Sequence, residues 1–247
     1  MSLSDEYRRQ FAWRSCSQVM DLLPSLAGKT VLDLGCGIGD QAAELAKRGA
    51  RVVGVDSNQA LLATAQRRGI PNAEFRIGDL TALDDLGLVD GIWCSFAAAY
   101  VPELVPTLAG WRQHLNTGGW IALTEIDNLF GHEPVEALTS SLLASYARDA
   151  LAASRYDFHM GRKLRHHLER AGFTVVDSRV LPDAEFCFDG PADSEVLASW
   201  TARLDRMRVL RDFCGASFER VRADFLSALL LADHRSVAKV YCSIATL

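Results

Sequence analysis

Residues 30–40, Thr-Val-Leu-Asp-Leu-Gly-Cys-Gly-Ile-Gly-Asp, constrain the fold of this chain more than any other stretch. A short apolar run predicts a buried strand, glycines follow at every second position, and residues 41–48 have the pattern of a helix. A strand that turns through glycines into a helix N-terminus brings backbone N–H groups close to a ligand. Asp33 interrupts the apolar run near its carboxyl end, where it could meet a cationic or amino-bearing ligand.

The spacing of the glycines separates two kinds of binding site. The dinucleotide fingerprint G-x-G-x-x-G, begun at Gly35, would require glycine at position 40, where this chain has Asp40. A strand with a terminal acid followed by Gly-x-Gly-x-Gly resembles motif I of the class I S-adenosylmethionine (SAM) methyltransferases. The resemblance implies a bound SAM, with Asp33 near its methionine amino group. The cofactor contacts predicted in this motif are Asp33, Gly35, Cys36, Gly37 and Gly39.

Further strands predicted along the chain alternate with helices, which indicates an α/β fold with a parallel, doubly wound sheet. The resemblance implies a Rossmann-like sheet of seven strands with the last strand antiparallel, an N-terminal helix and a helical insertion before the last strand. We expect a single SAM-dependent methyltransferase domain over residues 1–247. Its predicted parts are a core of 28–182 and 234–247, an N-terminal lid helix of 1–27 and a helical cap insertion of 183–233.

Acidic residues follow two further strands, at the sheet edge where ligands bind in open α/β sheets. Asp56 resembles the family's acid that holds both ribose hydroxyls of SAM; the alternative is an exposed turn residue. Asp79 and Leu80 resemble the position that meets the adenine ring. The other predicted cofactor contacts are Ser57, Ser95 and Phe96.

The segment Ser-Phe-Ala-Ala-Ala-Tyr at 95–100 resembles Ser-Phe-Ala-Leu-His-His of small-molecule methyltransferases similar to the ubiquinone-biosynthesis group. Tyr100 and His132 are the candidates for orienting an acceptor or taking its proton; the alternatives are a half-buried aromatic and an exposed loop histidine. The predicted acceptor contacts are Tyr7, Phe11, Trp13, Asp127 and Trp200. Phe186, Phe188, Trp200 and Met207 are candidate walls if the insertion caps the acceptor pocket; alternatively, its helices pack on the core or a second subunit.

Composition excludes several other classes of function. A net charge of −5 argues against a phosphate-tracking surface, so we expect no nucleic-acid partner. The six cysteines are scattered, which fits a reducing compartment, and no apolar run approaches the length of a membrane span. The histidines at 159, 166 and 167 lack metal-site spacing, so we expect no metal. We therefore expect a cytoplasmic protein, a monomer or homodimer, without a membrane partner.

These observations favour a SAM-dependent methyltransferase acting on a small-molecule acceptor through an oxygen, nitrogen, sulfur or carbon nucleophile. Because the sulfonium of SAM is already an activated leaving group, in-line positioning is expected to supply most of the catalysis. Two alternatives stay open at this point. One is an NAD(P)-dependent oxidoreductase, disfavoured by Asp33 and Asp40, and the other is a SAM-binding protein without catalysis.

Overall fold

A seven-stranded sheet with helices packed against it forms the centre of the protein. The computed structural model describes residues 3–83 and 86–247. The strands are β1 (Thr30–Leu34), β2 (Arg51–Asp56), β3 (Ala73–Ile77), β4 (Val89–Ser95), β5 (Leu115–Asp127), β6 (His132–Glu133), β7 (Thr174–Leu181), β8 (Arg235–Ser236) and β9 (Lys239–Thr246). The α-helices are α1 (Leu3–Trp13), α2 (Cys16–Met20), α3 (Asp40–Lys47), α4 (Gln59–Arg67), α5 (Leu104–Arg112), α6 (Ala137–Ala152), α7 (Leu164–Arg170), α8 (Ser194–Arg206), α9 (Arg208–Cys214) and α10 (Phe218–Ala228).

The strand order of the large sheet is β3-β2-β1-β4-β5-β9-β7. The neighbouring strands from β3 to β5 pair in parallel, whereas β9 pairs antiparallel with both β5 and β7. The order reverses between β1 and β4, and such a switch point opens a crevice at the carboxyl ends of the strands. The predicted doubly wound sheet of seven strands with an antiparallel last strand is therefore confirmed.

Alternation along β1 places its side chains on the two covered faces of the sheet. Leu32 and Leu34 pack in the core on one face, and Val31 packs in the core on the other. Asp33 follows the same alternation as Val31 and is 2% exposed. A carboxyl group thus lies inside the sheet directly before the glycine turn, where an apolar residue would pack equally well.

The N-terminal lid was predicted as one helix over 1–27, and in the described part of this segment that prediction is wrong. Helix α1 ends at Trp13, and α2 starts at Cys16 and ends at Met20. Contacts to the end of β7 break the helix: the hydroxyl of Ser15 donates to the carbonyl of Pro182 at 2.6 Å, and Arg14 turns toward Asp183. Residues 1 and 2 of the predicted lid lie outside the described residues.

The insertion at 183–233 contains the three helices α8, α9 and α10. Helix α10 buries Phe218, Val221 and Phe225, and it contacts α6, α8 and α9. A two-stranded ladder, which the sequence did not predict, pairs β6 with β8 and joins the chain after β5 to the end of the insertion. The predicted domain boundaries are not tested by these contacts and stay a prediction.

Helix lengths also bear on whether the chain crosses a membrane. The longest helix, α6, has 16 residues. Within residues 3–83 and 86–247, no helix combines the length and apolar character that a bilayer span requires. The cytoplasmic location stays a prediction.

Candidate functional site

A cavity of about 420 Å³ opens at the carboxyl edge of the sheet, beside the switch point between β1 and β4. Its walls come from the glycine turn after β1, the residues after β2 and β4, and one face of α1. Part of this wall is formed by residues at helical spacing, which are Tyr7, Gln10 and Phe11 of α1 and Arg14 directly after it. The location agrees with the place where ligands bind in open α/β sheets.

The glycine turn depends on residues without a side chain at two points. Gly35 has a φ of +79°, and a Cβ there would lie 2.4 Å from the Cβ of Ala97, so only glycine lets the turn pack on the loop after β4. Gly37 has a φ of +53°, and a Cβ there would lie 3.1 Å from the ring of Tyr7. Both glycines line the cavity, as predicted.

Gly39 does not line the cavity, so this position gives its predicted cofactor contact no support. It is the N-cap of α3, and a Cβ there would lie 2.8 Å from the ring of Phe75. Close packing of the turn against β3 therefore explains this third glycine.

Asp56 forms a fixed carboxylate on the cavity wall. One oxygen accepts the N–H of Gly37 at 2.8 Å, and the other accepts the N–H of Asn58 at 2.8 Å. Each carboxylate oxygen can accept a further hydrogen bond. The side chain is thus held by the glycine turn and still has acceptor sites for a pair of hydroxyl groups.

Asp33 lies behind this wall with an unsatisfied oxygen. Its Oδ2 is buried and has no hydrogen-bond partner in the described structure, and the residue does not line the cavity itself. Burial, and secondarily the nearby Asp56, raises the pKa of Asp33 to about 7. A buried carboxyl in this state favours a positively charged donor, and the ammonium of an amino acid is such a group.

Aromatic side chains form the mouth of the cavity. The rings of Tyr100 and Tyr156 meet edge to face at 4.7 Å, and both residues line the cavity together with Tyr7. Beneath them, Glu125 is fully buried and accepts the N–H of Ala99 at 3.0 Å. Burial raises the pKa of Glu125 to about 8. The sequence analysis missed Glu125, although an acid inside the apolar run of β5 is the same signal that identified Asp33.

Two partly buried arginines, also missed, line the same cavity, with 8% and 20% of their side chains exposed. Arg14 donates to Asp183 at 2.8 Å and to Glu185 at 2.5 Å, and Arg203 donates to Glu185 at 2.7 Å. The guanidinium of Arg14 lies over the rings of Phe96 and Phe186, at 4.8 and 4.3 Å from their centroids. Both arginines line the cavity, so cationic side chains face the site from α8 and from the residue after α1.

Comparison with known proteins identifies the family of this site. Residues 31–119 match the family model described as a methyltransferase domain. The chain is 38% identical over 104 residues to trans-aconitate 2-methyltransferase of Deinococcus radiodurans, a match that covers 41% of this chain and 40% of the relative. It is 30% identical over 162 residues to the ubiquinone biosynthesis O-methyltransferase of Acinetobacter baumannii, covering 62% of this chain and 66% of the relative.

In sequence and in fold, this chain is similar to the SAM-dependent methyltransferases. A putative methyltransferase from Bacillus halodurans shares its fold with a TM-score of 0.63 at 16% identity, covering 94% of this chain and 98% of that chain. The predictions of family and cofactor are confirmed, and the oxidoreductase alternative finds no support in these relatives. The matched regions span less than two thirds of the two relatives' own lengths, at 40% and 66%.

The structure brings most of the predicted site residues to one cavity. The predicted residues that line it are Tyr7, Phe11, Gly35, Cys36, Gly37, Asp56, Ser57, Leu80, Ser95, Phe96 and Tyr100. Those that do not line it are Trp13, Asp33, Gly39, Asp79, Asp127, His132 and Trp200. Of the predicted cap residues, Phe186 lines the cavity, whereas Phe188 and Met207 do not. Their roles in binding and catalysis stay predictions.

Three of the outlying residues have structural partners that explain their position. Asp127 is buried and makes a bidentate ion pair with Arg162 at 2.7 and 2.6 Å. Trp200 is fully buried and donates its indole N–H to the carbonyl of Glu185, so it supports the cavity wall without forming it. Asp79 accepts two hydrogen bonds from Thr81, while the neighbouring Leu80 faces the cavity.

His132 is a core residue and lies away from the cavity, so this position gives its predicted catalytic role no support. It is 1% exposed and lies edge-on to the rings of Trp200 and Phe225. His234 Nδ1 lies 2.9 Å from the carbonyl of Gly190, which only accepts, so His234 Nε2 is left to accept from His132 Nδ1 at 3.0 Å. The Nε2 of His132 then has no described partner. Burial, and secondarily His234, lowers the pKa of His132 to about 3.

The depressed pKa of His132 predicts a loss of stability in acid. In the unfolded chain this imidazole takes up a proton near pH 6.5, but in the folded protein only near pH 3. The stability that the neutral His132 contributes is therefore fully present above pH 6.5. It is lost as the pH falls, by about 2 kcal/mol at pH 5.

Urea unfolding of wild type and His132→Leu at pH 7 and pH 5 measures the difference. His166→Leu, at an exposed position, is the control; equal pH dependence in all three proteins would contradict the assignment.

Proposed function

We propose that this protein transfers the methyl group of SAM to a small-molecule acceptor bound at the aromatic mouth of the cavity. One observation carries the proposal: the glycine turn with Asp56 and the aromatic mouth with Tyr100 face a single cavity at the switch point of the sheet. The relatives named above are a trans-aconitate methyltransferase and a ubiquinone biosynthesis O-methyltransferase, and both names support a small organic acceptor.

The residues present fit SAM on the side of the glycine turn. Asp56 would accept the ribose hydroxyls with the free acceptor sites of its two oxygens, and Leu80 would lie against the adenine. The unsatisfied oxygen of Asp33 supports a nearby ammonium, reached directly or through a water molecule. When bound, SAM supplies a methyl group on a sulfonium, which needs no further activation.

The side chains at the mouth would position the acceptor rather than take its proton. No histidine is among the described residues that line the cavity, and Asp40, an acid on the cofactor side, pairs with Arg68 at 2.7 Å. Partial burial and the nearby Glu125 carboxyl raise the pKa of Tyr100 above its usual value. Tyr100 therefore stays protonated at neutral pH and would donate a hydrogen bond to the acceptor.

Asp56→Ala tests the cofactor half of this proposal. Removing a carboxylate that receives two hydroxyl groups should weaken SAM binding by about 1–3 kcal/mol, or roughly 5- to 150-fold. Titration calorimetry measures the affinity, and Asp212→Ala, on the exposed side of α9, is the matched control. Affinity equal to wild type in a folded Asp56→Ala protein would place the ribose elsewhere.

The transfer itself is tested with SAM labelled in its methyl group. The purified protein is incubated with a fraction of small metabolites, and the label is followed by chromatography and mass spectrometry. We expect one labelled product that Tyr100→Phe forms more slowly with little change in SAM affinity. SAM binding without any labelled product would favour the alternative of a non-catalytic SAM-binding protein. The monomeric or homodimeric state stays a prediction that light scattering of the same sample can test.

A further inference from the structure

Arg203 lines the cavity, and its guanidinium has N–H groups without hydrogen-bond acceptors among the described residues. Glu185 Oε1 receives its hydrogen bond at 2.7 Å, but the same oxygen also accepts from Ser199 at 2.7 Å and from Gln10 at 3.4 Å. Arg14, by contrast, holds both Asp183 and the other oxygen of Glu185. The Nε of Arg203 is buried and has no partner among the described residues. The Nη1 of Arg203 also makes no hydrogen bond within the described residues, so an oxygen atom of a ligand in the cavity can accept from this guanidinium.

Three tyrosines line the same cavity as Arg203. Tyr7, Tyr100 and Tyr156 line the cavity with Arg203, and none of their hydroxyls makes a hydrogen bond in the part of the chain that the structure describes. Burial raises the pKa of each tyrosine, so their hydroxyls stay protonated and can donate at neutral pH. Phenol and guanidinium groups are both hydrogen-bond donors, and an anionic oxygen group accepts from both.

We infer that the acceptor of this methyltransferase carries a carboxylate or phosphate group that Arg203 and the surrounding tyrosine hydroxyls bind. The inference rests on the proposed function, because it assigns the same cavity to the acceptor. The rings of Phe11, Phe96 and Phe186 line the cavity nearby, so the body that bears the anionic group is apolar. Arg203 is thus a specificity-determining residue: it selects acceptors by charge while the aromatic walls accommodate the rest.

The test uses the protein saturated with S-adenosylhomocysteine, the demethylated cofactor. Phenylacetate, phenyl phosphate and the neutral phenylacetamide are titrated into this complex by calorimetry. We expect at least one of the two anions to bind about 10-fold or more tightly than the amide. The tighter anion distinguishes a carboxylate from a phosphate site. Arg203→Met should reduce the preference to about twofold or less, whereas Arg203→Lys, which keeps the charge, should retain part of it.

Arg206→Met is the matched control, because Arg206 lies on the same helix and pairs with Glu6 without lining the cavity. Tyr100→Phe combined with Tyr156→Phe removes only two unpaired hydroxyls and should weaken anion binding about threefold or more, so it serves if Arg203→Met fails to fold. Equal binding of anions and amide, no saturable anion binding, or a preference that survives in the Arg203 and tyrosine variants would overturn the inference. Failure of wild type to bind S-adenosylhomocysteine would overturn the proposed function instead.

Discussion

Glu185→Ala is expected to lower the free energy of unfolding by about 3–5 kcal/mol. Glu185 is 0% exposed and pairs with both Arg14 and Arg203, and it also accepts the hydroxyl of Ser199. Although burial opposes ionisation, Arg203 and Arg14 hold the pKa of Glu185 at about 2. Without this carboxylate, two guanidinium groups in the interior lose the partner that they share. Loss of one member of a buried ion cluster costs more than the whole cluster contributes, because the remaining charges stay desolvated.

Urea unfolding followed by circular dichroism measures this effect at neutral pH. Glu219→Ala is the matched control, because Glu219 pairs with Arg211 at 3.4 Å on the surface, with 72% of its side chain exposed. An exposed ion pair contributes little, so the control should unfold like wild type. A Glu185→Ala protein as stable as the control would mean that the arginines find other partners and that the buried cluster is not what holds α1 to the insertion.

Gly37→Val is expected to reduce SAM affinity by about 100-fold or more while the sheet still folds. A β-branched residue is strained at a φ of +53°, and its Cβ would lie 3.1 Å from the ring of Tyr7. The backbone N–H of Gly37 also holds Asp56, so a shift of the turn moves the carboxylate proposed to bind the ribose. The side chain itself would occupy the space in which the cofactor meets bare backbone.

Gly69→Val provides a matched control for backbone strain. Gly69 has a similar φ of +57°, has no atom within 4 Å of an added Cβ and does not line the cavity. Calorimetric titration of SAM into both variants, with thermal unfolding of each, separates strain from loss of the site. Equal affinities of Gly37→Val, Gly69→Val and wild type would place the cofactor outside the glycine turn.

Local signals in the sequence determined the part of the site that we propose binds the cofactor. The apolar run of β1, its single acid Asp33 and the glycine spacing are consecutive, and each has a direct steric or electrostatic meaning. Asp56 is the last residue of β2 and is marked in the same local way, since the carboxyl ends of parallel strands meet at one edge. The order of strands and helices then predicted the doubly wound sheet, because few connections satisfy the handedness of parallel crossovers.

Only the tertiary structure shows which side chains line the side of the cavity that we propose binds the acceptor. Arg14 and Glu185 are 171 positions apart, and no periodicity in the sequence relates α1 to the end of β7. Hydrophobic periodicity marked Trp200 as a possible wall residue, but the same periodicity describes a core residue, and packing against Phe225 settled its position. An exposed loop was one expectation for His132, but this residue lies in β6, which pairs with β8. At the end of a strand, the residues that contact a ligand are adjacent in sequence, so a local pattern can predict them. A pocket between distant helices forms only when the chain packs, because burial and pairing depend on partners that the local sequence does not specify.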